Sequence, residues 1–330
     1  MTSPKVSILI PAYNRADLLR LTLESALRQT FDDYEIVVVD DGSTDDTAAV
    51  VRSVAPGARY IYQENQGIPE VLNRCVRETR GEYVQFLGSD DLLMPDTLAR
   101  SAALLDAHPN VGLVHGAAAI IDSAGNQRYI SRPAFAQGDY VRSGRDEIRD
   151  LLLSNHIAAT TVMARRACLI EAGLFDARLK LYEDWNLWTR IARRHDIAYL
   201  HEPLACYRVH FGPCGSVFAG ASARQIDRYR RLHLAELLSD PSLRSDRGRA
   251  IANHHMVVAR RACETSEMWY ARAEALRAAV SHYATTPVAL RLLARTFAPG
   301  WLIRRWRDRR AQPPTAETEA TAAVASGVSE

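Results

Sequence analysis

The chain has 330 residues, 47% hydrophobic and 24% charged, the composition of a globular protein and not of a disordered, collagen-like or membrane-spanning one. Its 41 Lys and Arg stand against 39 Asp and Glu, a net charge of +2, too near neutral for a nucleic-acid binder. The basic excess is local: residues 291–310 carry a net +6 and residues 311–330 a net −3, leaving −1 for residues 1–290.

Five cysteines (Cys75, Cys168, Cys206, Cys214, Cys263) are widely spaced with no CxxC pair, which points to a reducing compartment. The apolar run before Pro11 is too short for a signal peptide or a membrane span. A cytoplasmic protein is expected.

In chain order, short β-type runs alternate with helix-period segments, the pattern of a mostly parallel, doubly wound α/β sheet with helices on both faces. Strands are predicted at Val6–Ile10, Ile36–Asp40, Tyr60–Gln63, Tyr83–Leu87 and Leu113–Ile121; the unbroken apolar run Ile36 to Val39 suits a strand buried on both faces. Between them, Leu19, Leu23, Ala26 and Leu27 form one apolar stripe, and Ile68, Val71, Leu72, Cys75 and Val76 another. Ser43 with Asp46 reads as a capping box, Gly81 as a left-handed helix stop, and Pro95 as the first turn of a helix carrying Leu98, Ala102 and Leu105.

Past residue 216 strand signals stop. Residues 216–300 read as a helical extension. Residues 301–310, with Trp301 and Trp306 among arginines, read either as an interfacial helix on an anionic membrane surface or as a solvated basic helix end. Residues 311–330 read as a disordered tail.

In a doubly wound sheet, ligands sit beyond the carboxyl ends of the strands. Three polar clusters stand there: Pro11-Ala12-Tyr13-Asn14, Asp40-Asp41-Gly42-Ser43 and Ser89-Asp90-Asp91. Neither GxGxxG nor GxxxxGK[ST] occurs, so phosphates are not cradled in a dinucleotide or P-loop manner. Carboxylates at strand ends suit a nucleoside diphosphate bound through a hard divalent cation, with Asp90 the leading ligand candidate. A further constellation, Glu183-Asp184-Trp185, places Asp184 on the apolar face shared by Leu187, Trp188 and Ile191. That acid reads either as a first-turn anion favoured by the helix dipole or as a general base.

The strings KVSILIPAYNR, VVVDDGSTDDT, ENQG and GEYVQFLGSDDLLMP, in this order and on predicted strand ends, resemble the family-2 glycosyltransferases of the GT-A fold. The resemblance runs from about Lys5 to Ser216. It implies an inverting enzyme taking sugar from a nucleotide donor, most simply a UDP-sugar, to a hydroxyl on a glycan or lipid-linked acceptor in cell-surface polysaccharide or glycolipid synthesis. A non-catalytic nucleotide-sugar-binding module of the same fold is the alternative. The implied layout is a catalytic domain over 1–215, with a donor half of about 1–121 and an acceptor half of about 122–215.

Pro11, Tyr13, Asn14, Asp41, Asn65, Gly67, Ser89 and Asp90 are the implied donor-binding residues, with Asp41 accepting a hydrogen bond from the base. Mn²⁺ or Mg²⁺ is implied at Asp90, assisted by Asp91 and His210, and Asp184 is the implied base. Arg208 or His210 is the implied contact to diphosphate or metal. Two departures stand out: Gly88 replaces the first acid of the D-x-D motif, and Val71-Leu72-Asn73 stands where many members carry Ala-Arg-Asn, leaving Arg74 or another base to cover the missing Arg. The implied setting is cytoplasmic, with peripheral membrane contact through 301–310 and no nucleic acid.

Overall fold

The computed structural model describes residues 3–209, 220–281 and 286–296. The strands are β1 (Val6–Ala12), β2 (Tyr34–Asp40), β3 (Arg59–Tyr62), β4 (Tyr83–Phe86), β5 (Leu92–Leu93), β6 (Val111–Ile121), β7 (Gln127–Ser131), β8 (Tyr140–Arg142), β9 (Met163–Arg165) and β10 (Asp196–Arg208). They form one sheet in the order β3-β2-β1-β4-β9-β6-β10-β5, with β7 paired to β6 and β8 to β10. Strands β1, β2, β3, β4, β6 and β10 run one way, and β5, β7, β8 and β9 run against them. The fold is therefore the mostly parallel α/β sheet expected.

The helices are α1 (Ala16–Leu27), α2 (Thr47–Val54), α3 (Ile68–Glu78), α4 (Thr97–Ala107), α5 (Gly144–Leu151), α6 (Arg166–Glu171) and α7 (Glu183–Ala192), followed by α8 (Ala223–Leu237), α9 (Arg247–Glu264), α10 (Met268–Ser281) and α11 (Thr286–Arg295). Alternation along the strands sorts the core. Ile8, Ile10 and Val38 pack with Leu19 and Leu23 of α1, Val50 of α2 and Leu98 and Leu105 of α4. Leu9, Val37 and Val39 point to the opposite face, where α3 buries Val71, Cys75 and Val76.

Three local expectations change. Helix α2 starts at Thr47, after N-cap Asp46. Ser43 is not its cap, because its hydroxyl accepts the Asn14 N–H (2.9 Å) and its own N–H donates to Asp40 Oδ1 (2.8 Å). Asp45 serves the first turn instead, accepting from Thr47 N (3.0 Å). Gly81 is not a left-handed stop: α3 ends through an extended Thr79. Gly81 is small because a Cβ there would lie 2.6 Å from Ser7 N on β1. Pro95 precedes N-cap Asp96 and lies outside α4.

The described chain divides into two units, one of residues 3–209 with 228–246 and one of 220–227 with 247–281 and 286–296. The second has its own small core of Met256, Ala259, Ala275, Ala278, Ala289 and Leu292. No described helix is long and apolar enough to cross a membrane. His210, Cys214, Ser216, the basic segment 301–310 and the tail 311–330 lie outside the described residues.

Candidate active site

The parallel strands all end at one edge of the sheet, so the residues following β1, β2, β4, β6 and β10 share that edge. A cavity of about 590 Å³ opens there. Its wall includes Pro11, Gly88, Asp90, Asp91, Glu183 and Asp184. Residues more than 170 positions apart in the chain, Pro11 and Asp184, thus share one cavity wall.

The placement of Asp184 is a packing result. Phe86 at the end of β4 meets Trp188 of α7 edge to face at 5.4 Å and Phe175 at 5.9 Å, contacts that add specificity to the burial of these rings. Asn73 of α3 clamps Phe175 by donating Nδ2–H to its carbonyl (2.9 Å) and accepting its N–H (2.8 Å). Sequence reasoning had no role for Asn73, and its pairing is visible only in three dimensions. With α7 held by its apolar side, its first turn is turned to the cavity. Tyr182, the N-cap, adopts φ 67°, ψ 18°, a left-handed strain of about 1–2 kcal/mol for a residue with a Cβ.

Asp184 Oδ1 accepts the Trp185 N–H (2.6 Å) and Oδ2 accepts from Asn155 Nδ2 (3.1 Å). Burial raises its pKa above the usual carboxylate value, against those two donors. Glu183 beside it is raised by burial and by the Asp184 charge. Asn155 is a second residue that carried no sequence signal.

Arg208 organises the Asp90-Asp91 loop. Its guanidinium donates to the carbonyls of Asp90 (2.8 Å), Asp122 (3.0 Å) and Ser123 (3.2 Å), while its N–H donates to Asp91 Oδ1 (2.8 Å). Arg208 is therefore bound to the loop and is not among the described residues of the cavity wall. Burial and the neighbouring Asp90 push the Asp91 carboxyl up to about 7. A Cβ at residue 88 would lie 2.7 Å from Asp91 Oδ2, so the glycine that departs from D-x-D leaves Asp91 its room.

Two neighbouring carboxyls, one of them disfavoured as an anion by burial, form an oxygen donor set that a hard cation such as Mn²⁺ or Mg²⁺ fits. Among the described wall residues there is no Lys or Arg. Arg74 pairs with Glu78 one turn along α3 at 2.7 Å.

The remaining expected donor residues stand outside the wall. Tyr13 is 50% exposed beyond β1. Asn14 Oδ1 accepts from Thr44 N (2.8 Å), fastening the loop after β1 to that after β2. Asp41 is buried and holds the ENQG loop, accepting from Gln63 Nε2 (2.7 Å), Gln66 N (2.9 Å) and Gly67 N (3.0 Å). Asn65 packs against Gly42, whose Cβ would come within 2.9 Å of Asn65 N. Ser89 is part-buried between Gly88 and Asp90.

The glycosyl transferase family 2 model matches residues 7–171. The chain belongs to that family. An uncharacterised glycosyltransferase of Rickettsia typhi is 34% identical over 209 residues, 63% of this chain and 65% of that protein's length. The chain thus spans just under two thirds of that relative.

The crystal structure of S. aureus TarS 1–349 superposes with TM-score 0.65 at 20% identity, covering 93% of this chain and 92% of that one. TarS 1–349 has also been solved with UDP and with UDP-GlcNAc. The mannosyltransferase PcManGT from Pyrobaculum calidifontis, in complex with GDP-Man and Mn²⁺, gives TM-score 0.56 at 22% identity over 94% of this chain and 85% of that one. At such identities the likeness to both structures is one of fold.

Proposed function

We propose that this family-2 member is an inverting glycosyltransferase that moves a sugar from a nucleoside-diphosphate donor, by preference a UDP-sugar, to an acceptor hydroxyl of a cell-surface polysaccharide or glycolipid. The observation that carries this is Asp184 sharing one cavity wall with Asp90 and Asp91. The donor half of about 1–121 supplies Pro11, Asp90 and Asp91, and the acceptor half of about 122–215 supplies Asn155 and Asp184. Loops held by Asp41 and Asn14 offer Tyr13, Asn65 and Gly67 to the nucleotide end, Asp41 itself facing the base, and the loop held by Arg208 offers Ser89.

Asp184 accepts the acceptor's hydroxyl proton while the oxygen forms its bond to the anomeric carbon. The bond from that carbon to the diphosphate breaks from the opposite face, and its electron pair leaves with the diphosphate. Configuration inverts. The amide of Asn155 and the Trp185 N–H keep Asp184 aimed and favour its charged form until the proton arrives. A wall with four carboxyls and no described Lys or Arg would repel a bare diphosphate, so we assign a Mn²⁺ or Mg²⁺ ion to Asp90 and Asp91, where it would neutralise the leaving group.

The test is release of nucleoside diphosphate from UDP-, GDP- and dTDP-sugars with Mn²⁺ or Mg²⁺, using wild type, Asp90→Ala and Asp184→Asn. We expect one donor to turn over, EDTA to stop it, and both variants to lose at least a hundredfold, roughly the contribution of a general base. Asp184→Asn should still bind donor. Binding without wild-type turnover, with glycan and lipid acceptors supplied, would replace the enzyme by a nucleotide-sugar-binding module.

A further inference from the structure

Behind the cavity wall, β6, α5 and the segment after Asn155 bring three chemically matched side chains together. His115, Glu147 and His156 each offer a ligand atom within 4.8 Å of the others. Glu147 Oε1 lies 2.5 Å from His156 Nε2 and 3.9 Å from His115 Nε2. The other oxygen, Oε2, is bonded to Arg142 Nε, and Arg142 is held in turn by Asp150 at 2.8 Å. Arg142 therefore settles which carboxylate oxygen faces the imidazoles, as outer partners of metal ligands do.

His115 supplies the independent observation. It is fully buried, and neither ring nitrogen has a hydrogen-bond partner. The rings of Tyr140 and Tyr199 lie 6.4 and 5.0 Å away, and their buried hydroxyls are also unpartnered. Such a nest of unsatisfied polar atoms is costly, and native proteins fill it with water or an ion.

We propose that His115 Nε2, Glu147 Oε1 and His156 Nε2 form a second metal site, for a divalent transition metal of the Zn²⁺ class, separate from the Asp90–Asp91 pair. Two imidazoles and one carboxylate favour such an ion over Mg²⁺ or Ca²⁺. His156 is also part of the cavity wall, which gives the ion a way in. Occupancy ties β6 and α5 to the stretch whose Asn155 holds Asp184.

Full-length protein stripped with chelator is titrated with Co²⁺, following visible absorption, then with Zn²⁺, and its Tm is read with and without Zn²⁺. Wild type and Asp90→Asn should saturate at one equivalent with the intense bands of low-coordinate Co²⁺, lose them to Zn²⁺, and gain several degrees of Tm. His115→Phe, which fills the aromatic cage without a ligand, should show neither response. No such bands in wild type, leaving water as the occupant, or unchanged bands in His115→Phe would overturn the proposal. If His115→Phe fails to fold by circular dichroism, His156→Phe takes its place with the same two outcomes.

Discussion

At the scale of single residues, the chemistry of Asp184 depends on Asn155. The amide donates to Oδ2 at 3.1 Å, and a hydrogen bond to a charged group is worth about 1.5–3 kcal/mol. Removing it disfavours the carboxylate and so raises further a pKa that burial has already raised. For Asp184 acting as the base proposed above, activity falls as pH drops through that pKa. Asn155→Ala should move the acid limb of the kcat–pH profile up by about one unit, one unit being about 1.36 kcal/mol. Tm should change little. A loss of equal size at every pH would show that Asn155 acts only on structure.

Asp184 could be singled out from the chain because Glu183-Asp184-Trp185 heads an apolar helix face. Asn155 could not, since an isolated Asn in Leu-Ser-Asn-His-Ile has no period and no motif. The same holds for Arg208, whose four hydrogen bonds to the loops at Asp90 and Asp122 join residues that β4, β6 and β10 bring side by side.

Among the elements, α5 and the end of α7 pack closely against each other. Gly144 opens α5, and a Cβ there would run into the carbonyl oxygens of Ala192 and His195 at the end of α7. These are backbone atoms that no rotamer change can move. Gly144→Ala should cost about 1–3 kcal/mol of overpacking and lower Tm by a few degrees; an unchanged melting curve would refute the contact. Helices α1 and α3 were readable because an apolar stripe at helical spacing is a local property of the chain. Strands β5, β9 and β10 were not. Three residues of β9, or two of β5, carry no period, and β10 is broken by register shifts around Leu200 and Pro203, which erase its alternation.

For the molecule as a whole, buried histidines set part of the response to acid. His233 on α8 is fully buried, packs on the Trp185 ring at 4.5 Å, and has no partner for either ring nitrogen. Burial, then the Arg230 charge, pushes its pKa down to about 3 from the ordinary 6.5. The unfolded chain therefore takes up this proton first as pH falls. The stabilisation is complete above pH 6.5 and is lost progressively toward pH 3. His233→Phe should flatten that slope, so that urea unfolding at pH 7 and pH 5 differs less for the variant than for wild type. Equal differences would mean that His233 is hydrated in the native state.

What the chain determines by itself is whatever its neighbours in sequence decide: strand and helix periods, the polar turns after β1, β2 and β4, and the motif strings that carry the family. Those local terms sufficed for an α/β sheet with carboxylates at one edge. Tertiary structure alone decided that Asp41 holds the ENQG loop, that Gly88 makes room for Asp91, and that Asn155, Asn73 and Arg208 brace the cavity. These roles arise from backbone and side-chain groups far apart in the chain. The hydrogen bonds of a buried polar group must be satisfied by whatever the fold places beside it, and no local pattern encodes which group that will be.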